Sequence, residues 1–192
     1  MLYSGAIGRS ATLLYFGQEL GEPAVDDAGF GRATRTTIFD YWAVPSLQRW
    51  INDGAHDGGR SSEEERALRA DYLRLMQFLR DSPALDGEAL DLHAANLDAG
   101  SPGWNDRAVV WARWNAQQRL LFAAGFDATT GHDAELLLPA ELIRAWGLSD
   151  GEHRLVERLS GTDALTLTVR DGVGRVSLTL APLGWRALEL VP

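Results

Sequence analysis

Hydrophobic and polar positions divide the chain into a first part with helical spacing and a second part with alternation. An apolar run covers residues 11–16 and stops at Gly17, where polar and acidic residues follow at once. A short continuous apolar run that ends at a glycine is typical of a strand buried on both faces. We therefore predict a strand over 11–16, with Gln18 and Glu19 at its carboxyl end. In parallel sheets and barrels, that end forms the ligand-binding rim.

The clearest helical pattern begins after Ser61. Ser61 and Ser62 are each followed three residues later by a glutamate, which is the capping-box pattern of a helix start. Apolar residues then recur at spacings of four, three and four and would form one stripe: Leu68, Tyr72, Leu75 and Leu79. Glu65 and Arg69 are expected to pair on the solvated side. Pro83 would end the helix.

A long loop, residues 17–44, separates the predicted strand from the helices. Glycines punctuate the loop, and acidic residues crowd its first half. A loop of this length is uncommon in a compact domain and is usually functional. The alternative, a disordered acidic connector, is disfavoured by apolar anchors such as Tyr41 and Trp42. Pro45 then opens a short helix over 46–52.

After the long helix, the spacing changes from helical to alternating. Residues 84–106 are irregular and rich in glycine, so we predict a connector there. Beyond it, several short segments alternate apolar and polar positions, with a hairpin turn at Asp171-Gly172 and a last strand over 185–190. A helical turn over 139–146 interrupts them. The pattern predicts an antiparallel β-sandwich.

The order of these elements predicts an α+β protein with three parts. Residues 1–83 would form a strand–loop–helix unit, which fits the last β/α unit of a TIM-type barrel, with the long rim loop at 17–44. Residues 84–106 would connect this unit to the C-terminal antiparallel β-sandwich domain over residues 107–192.

Composition excludes several classes of function. The 192 residues carry a net charge of -9 and include no cysteine. An acidic chain is a poor partner for nucleic acid or an anionic membrane surface. The lack of cysteine removes disulfides, thiol nucleophiles and zinc-thiolate sites. No apolar run is long enough to span a membrane. Because the first residues have no basic leader, we expect no signal peptide and a cytoplasmic location by default.

The histidines and glycines do not suggest a metal or cofactor site. The four histidines are scattered, and none has the i,i+4 spacing of a helical metal site. The Gly172-Val173-Gly174 stretch lies between two predicted strands, which is not the context of a phosphate-binding loop. We therefore expect neither a metal nor a cofactor.

Four stretches of the chain resemble the α-amylase-type glycoside hydrolases. Residues Leu13–Glu22, which read LLYFGQELGE, are similar to the eighth barrel strand of that family. The likeness continues through TTIFDYW at 36–42, through Arg49-Trp50 and through DLHAAN at 91–96. It then becomes a pattern of strands. The resemblance implies the end of a (β/α)₈ barrel followed by a C-terminal β-sandwich domain, in agreement with the periodicity.

The resemblance also implies a function and shows what is missing for it. The chain would be the carboxyl-terminal fragment of a glycoside hydrolase that acts on α-glucosides or α-glucans. Glycoside hydrolysis needs two carboxylates across the scissile bond. In this family the nucleophile Asp, the acid/base Glu and a stabilising Asp follow barrel strands four, five and seven, and the last lies in an Asn-His-Asp motif. Since no Asn-His-Asp occurs here, we assign no catalytic residue and expect this chain alone to be inactive.

Four rim residues are candidates for contact with an α-linked oligosaccharide: Gln18, Glu19, Tyr41 and Trp42. The adjacent aromatic rings could stack on the C–H face of a sugar, or they could pack onto the barrel end. A lone carboxylate such as Glu19 lacks the second acid of a catalytic pair. It could instead hold the loop by pairing with one of three arginines: Arg9, Arg32 and Arg35. The remainder of the barrel would be the other partner.

A second hypothesis is a stand-alone, non-catalytic β-sandwich module for carbohydrate binding or protein interaction. The segment 11–16 separates the two hypotheses. A strand that is apolar on both faces needs neighbours on both sides, and only one helix is available to cover it. The pattern therefore favours a fragment of a larger barrel, and it predicts an exposed apolar surface at this segment in the isolated chain.

Overall fold

The computed structural model describes residues 1–15, 17–22, 44–159, 161 and 163–192. Backbone contacts group the chain into two units. The larger unit consists of Met1–Ala11 with Phe78–Pro192, and the smaller unit is Thr12–Gln77. The division into a barrel portion, a connector and a sandwich domain stays a prediction.

Helices and strands cover most of the described residues. The helices are α1 (Leu2–Ala6), α2 (Pro45–Ile51), α3 (Glu63–Asp81), α4 (His93–Asp98) and α5 (Ala140–Trp146). The strands are β1 (Glu88–Asp91), β2 (Ala108–Trp114), β3 (Arg119–Gly125), β4 (His132–Leu138), β5 (Gly151–Glu157), β6 (Ala164–Arg170), β7 (Val173–Leu180) and β8 (Trp185–Val191). Within the described ranges, no helix has the length and apolar character needed to cross a membrane.

The start of α3 follows the capping-box prediction. The Ser62 backbone N–H donates to Glu65 Oε2 at 2.8 Å, and the Glu65 N–H donates to Ser62 Oγ at 3.2 Å. Leu68, Tyr72 and Leu75 are all half-buried on the predicted stripe. The expected pair of Glu65 with Arg69 on the solvated side is wrong, because Glu65 is only 9% exposed and faces the neighbouring helix α2.

The strand predicted over 11–16 is wrong for the residues that the structure describes. Residues 11–15 adopt no regular structure, and 11–14 are exposed; Phe16 lies outside the described residues. Leu13 is 82% exposed and Leu14 is 38% exposed. A strand forms only where neighbours accept its backbone hydrogen bonds, and none of the eight strands pairs with this segment. The result is the exposed apolar segment expected for the isolated chain.

The larger unit contains a single eight-stranded sheet in the order β1-β2-β3-β8-β5-β6-β7-β4. Every neighbouring pair is antiparallel. The antiparallel prediction is confirmed, but the two predicted layers join into one sheet, because β8 pairs with both β3 and β5. Residues 84–106, whose pattern is irregular, contain strand β1 and helix α4.

One hydrophobic core fills the concave side of this curled sheet. Alternate residues of every strand enter the same cluster, so the two halves of the sheet face each other across it. Helix α5 covers one side with Leu142, Ile143 and Trp146, each no more than 1% exposed. The hairpin between β6 and β7 turns at Asp171 and Gly172, whose φ values of 51° and 73° suit a two-residue hairpin.

The outward edge of β4 is satisfied by side-chain and loop groups instead of another strand. Asn96 is fully buried, and its amide accepts from the Leu137 N–H at 2.7 Å and donates to the Leu137 carbonyl at 3.0 Å. The Glu135 N–H donates to the Pro102 carbonyl at 3.0 Å. Gly103 (φ 73°) passes so close that a Cβ would lie 1.8 Å from the Asp133 carbonyl oxygen. The segment after α4 thus covers the last edge of the sheet.

The convex side of β2 and β3 is buried as well. Trp111 stacks on Phe122 with 5.0 Å between ring centroids, and its indole N–H donates to the Ala6 carbonyl at 3.2 Å. Arg113 is 1% exposed and donates to backbone carbonyls of Ala6, Gly8 and Leu85. Burial lowers the pKa of the Arg113 guanidinium. The backbone carbonyls that accept its hydrogen bonds stabilise the charged form. These bonds tie the N-terminal residues to the sheet.

We predict that Asn96→Ala destabilises the protein by about 2 to 4 kcal/mol, because it removes the partner of both half-buried Leu137 backbone groups. Asp98→Ala in the same helix is the matched control, and this exposed residue should change the free energy of unfolding by less than about 0.5 kcal/mol. Urea unfolding followed by fluorescence measures both values. Equal effects of the two substitutions would contradict the role given to Asn96.

Candidate functional site

The candidate site is built around residues 17–22, the described start of the rim loop. The loop begins and ends with glycines in the left-handed region, Gly17 at φ 82° and Gly21 at φ 69°, on either side of a short 3₁₀ turn. The Glu22 N–H donates to the Gly17 carbonyl at 3.1 Å and closes the loop on itself. Leu20 is 2% exposed and anchors the turn. The sequence Gly-Gln-Glu-Leu-Gly therefore specifies a compact turn with its polar side chains held in place.

Gln18 is held by two tyrosines. Its side-chain amide donates from Nε2 to the Tyr72 hydroxyl at 3.1 Å, and its Oε1 accepts from the Tyr15 N–H at 3.3 Å. Tyr72 belongs to the apolar stripe of α3, so the helix positions the loop. Gln18 therefore uses both ends of its amide inside the protein, which favours a role in holding the loop.

Glu22 holds the start of helix α2. Its Oε2 accepts from the Ser46 hydroxyl at 2.6 Å and from the Ser46 backbone N–H at 3.3 Å. A carboxylate is favourable at this end of a helix, because the first N–H groups have no partner within the helix. Sequence reasoning did not identify this contact. The feature that could have predicted it is the helix start at Pro45-Ser46, because the first N–H groups of a helix need an acceptor from elsewhere in the chain.

Glu19 has an oxygen without a hydrogen-bond partner among the described residues. Its side chain is half-buried, and its Oε2 is shielded from solvent without a hydrogen-bond partner among the residues that the structure describes. Of the three arginines proposed as its partners, Arg32 and Arg35 lie outside the described residues. Arg9 donates to the Gly87 carbonyl at 2.8 Å. Glu19 therefore keeps an oxygen that a ligand or a further residue could use.

Helices α2 and α3 are joined by an ion pair and a cation–π contact. Arg49 pairs with Glu65, and the Nε–Oε1 distance is 3.0 Å. This guanidinium lowers the pKa of the Glu65 carboxyl, and the carboxylate raises the pKa of Arg49. The Arg69 guanidinium lies 3.7 Å above the ring of Trp50, which is a cation–π contact. Arg49 and Trp50 thus belong to the frame of this unit.

The two aromatic site candidates, Tyr41 and Trp42, lie outside the described residues. Their proposed contact with sugar stays a prediction, as does the role of Gln18 and Glu19 in substrate binding. The described part of the loop contains two carboxylates. Glu19 has an oxygen without a partner among the described residues, and Glu22 accepts hydrogen bonds from Ser46. Across the described residues, no three acidic or histidine side chains gather where they could hold a metal ion. The geometry offers hydrogen-bonding groups at a rim and no demonstrated acid–base pair.

Comparison with known proteins identifies the fold. No protein-family profile and no curated protein matches the sequence. Solved structures do match: AmyP in a variant bound to maltotriose, with a TM-score of 0.58 and 19% identity, and AmyP in complex with maltose, with 0.55 and 21%. Both matches cover 98% of this chain and 33% of the AmyP chain. The chain thus spans about a third of the length of the structures it matches.

A third solved structure also matches this chain over about a third of its own length. CldA, described as a cyclomaltodextrin glucanotransferase with a three-domain ABC distribution, matches 100% of this chain and 31% of its own, with a TM-score of 0.53 and 15% identity. At these identities the likeness shows a common fold. The class defined by fold is therefore a β-rich domain, with associated helices, of the kind found in amylase-type enzymes.

The Arg49–Glu65 pair predicts a pH dependence of stability. Because pairing lowers the folded-state pKa of Glu65 below its ordinary 4.5, its stabilisation is present above that pH and is lost as the pH falls through the folded value. Glu65→Gln keeps a capping-box side chain and removes only the charge. We expect its destabilisation to shrink between about pH 7 and pH 3.

Urea unfolding at a series of pH values measures this effect. Glu63→Gln, in the same first turn of α3, is the control, since Glu63 is exposed and should show no comparable trend. A difference between wild type and Glu65→Gln that stays constant over the whole range would show that the pair does not stabilise the fold through charge.

Proposed function

We propose that this chain is the carboxyl-terminal part of an α-amylase-type glycoside hydrolase that acts on α-glucans. The observation that carries the proposal is the fold match over nearly the whole chain to AmyP and CldA, of which it spans about a third. The sequence resemblance at 13–22, 36–42 and 91–96 points to the same family. AmyP was crystallised with maltose and maltotriose, which supports an α-linked oligosaccharide as the ligand of the parent enzyme.

In this proposal, the segment 11–16, which forms no strand in the chain alone, would become the last strand of a TIM-type barrel once the rest of the barrel is present. The exposure of Leu13 and Leu14 supports it, because both side chains would be covered once neighbouring strands are present. The rim loop would then stand at the carboxyl end of that strand, where barrel enzymes bind their substrates. The same geometry would place the two catalytic carboxylates on strands contributed by the rest of the barrel.

The rim residues would contact substrate and not perform the bond cleavage. Glu19 would use its carboxylate oxygen without a partner among the described residues to accept from a sugar hydroxyl, while Gln18 is held by tyrosines in the described structure. Tyr41 and Trp42 would supply an aromatic surface for the C–H face of a glucose unit. Together they would form one wall of the active-site mouth in the intact enzyme.

We predict that the purified 192-residue chain does not release reducing sugar from maltooligosaccharides above background. Without an acid/base and a nucleophile across the bond, neither protonation of the leaving oxygen nor a covalent intermediate is available. Glu19→Gln is the control, and it should behave as the wild-type chain does. Clear turnover that disappears in Glu19→Gln would refute the proposal, since Glu19 would then be catalytic.

We also predict that the chain binds maltotriose only weakly, with a Kd of about 1 mM or higher, because a single loop forms one wall of a pocket. Trp42→Ala should abolish this binding, whereas Trp185→Ala, on the separate sheet unit, should leave it unchanged. Titration monitored by NMR measures both. Binding that survives Trp42→Ala and is lost in Trp185→Ala would favour the stand-alone sugar-binding module instead.

A further inference from the structure

Large apolar side chains are exposed at one end of the sheet, where β3 ends and β8 begins. The described part of the chain has eight large apolar residues that are exposed, and four of them gather here. We call them the end patch: Tyr3, Phe126, Leu183 and Trp185, which are between 37% and 59% exposed. All four belong to the larger unit. Scattered apolar side chains on a surface are ordinary, whereas a group of them marks an interaction surface.

Strand register places Trp185 on the convex side of the sheet. It pairs with Ala124 in the β3–β8 ladder, and cross-strand partners share a face. Ala124 follows Phe122, a residue of the convex side, by two positions. Alternation within β8 agrees, because Leu188 lies three positions after Trp185 and enters the hydrophobic core on the concave side.

Contacts connect the other three residues of the end patch to the same place. Tyr3 of α1 meets Trp111 of the convex side edge to face with 5.4 Å between ring centroids, and it meets Phe126 in the same way at 6.0 Å. The Asp127 carbonyl, one residue after Phe126, accepts from the Leu183 N–H at 2.8 Å. The end patch therefore belongs to neighbouring segments of one surface.

Leu183 is unfavourable in the chain alone. It occupies the third position of the turn between β7 and β8, which closes when the Gly184 N–H donates to the Ala181 carbonyl at 2.7 Å. Its φ of 52° lies in the left-handed region, where glycine or asparagine is preferred. Because the side chain is exposed, burial does not offset this cost. An apolar residue at this position gains from burial only if something outside the chain covers it.

The end patch continues a surface that is already partly covered. Helix α1 lies over Trp111, whose indole N–H donates to the Ala6 carbonyl at 3.2 Å. Near the end of α3, Phe78 meets Phe122 edge to face with 6.1 Å between ring centroids. Both helices belong to residues 1–83, which we predict to be the barrel portion. The convex side is thus the side that this portion already contacts, and the end patch extends it.

We propose that the end patch is the surface on which the rest of the parent barrel packs against this sheet. The inference rests on the proposed function, under which the remainder of the enzyme belongs to the same polypeptide; this chain spans 33% of the AmyP chain and 31% of the CldA chain. Packing would bury the rings of Phe126 and Trp185 and offset the unfavourable backbone of Leu183. A second copy of the chain and an α-glucan are the other occupants that the test distinguishes.

Hydroxyl-radical oxidation read by mass spectrometry compares the chain alone with the intact parent enzyme, expressed with the coding region that precedes this chain. Phe126 and Trp185 should oxidise rapidly in the chain alone. In the intact enzyme, their oxidation should slow to the rate of Phe122, which is already buried in the chain alone. Leu97, exposed on α4 beside the edge of β4, is the control and should oxidise at the same rate in both proteins.

Leu183→Asn should have different effects in the two proteins. Since asparagine accepts a positive φ, the substitution should not lower the melting temperature of the chain alone. In the intact enzyme it removes an apolar side chain from the interface, and the melting temperature should fall by about 2 °C or more. Leu97→Gln is the matched control and should change the melting temperatures of the two proteins alike.

Four results would overturn the inference. Protection of Phe126 and Trp185 that rises with the concentration of the chain alone would identify a second copy as the occupant. Protection in the intact enzyme that appears only with maltotriose would identify an α-glucan. An intact enzyme that hydrolyses maltooligosaccharides but leaves both rings reactive would refute this inference and leave the proposed function standing. A preceding coding region without a barrel would refute both.

Discussion

The sheet unit depends on satisfying the outward edge of β4. A strand at the end of a sheet leaves a row of N–H and C=O groups without partners, and burying such groups unpaired costs free energy. Here the Asn96 side chain acts in place of a strand residue, since it bonds both the N–H and the C=O of Leu137. Gly103 allows the following loop to approach the same edge. This closure lets one antiparallel sheet curl around a single core.

The curled sheet has a consequence for where ligands can bind. Its core is filled by alternate residues from all eight strands, so the interior of the sheet is packed. In the proposed function, the rim loop would instead form a site together with the rest of a barrel.

The carboxylates of the smaller unit differ in what their side chains contact. Glu22 and Glu65 are both carboxylates near α2, yet one accepts hydrogen bonds from Ser46 and the other pairs with Arg49. Glu19 has a carboxylate oxygen with no hydrogen-bond partner among the described residues. A single available carboxylate cannot supply both roles of glycoside hydrolysis, which require two groups on opposite sides of the bond.

The amino-acid sequence alone determined the local elements of this protein. The capping box at Ser62, the stripe on α3, the hairpin at Asp171-Gly172 and the antiparallel character of the second half all follow from short-range spacing and turn chemistry. These features depend on residues a few positions apart, which a pattern can report.

Tertiary structure decided whatever required a partner distant in the chain. The apolar run at 11–15 forms no strand, because no neighbouring strand accepts its hydrogen bonds. Asn96 closes an edge 41 residues away, and Arg113 binds carbonyls 105 and 107 residues away. The single curled sheet in place of two layers results from β8, which joins both halves. Such pairings depend on which distant groups meet once the chain folds, and local periodicity contains no information about that choice.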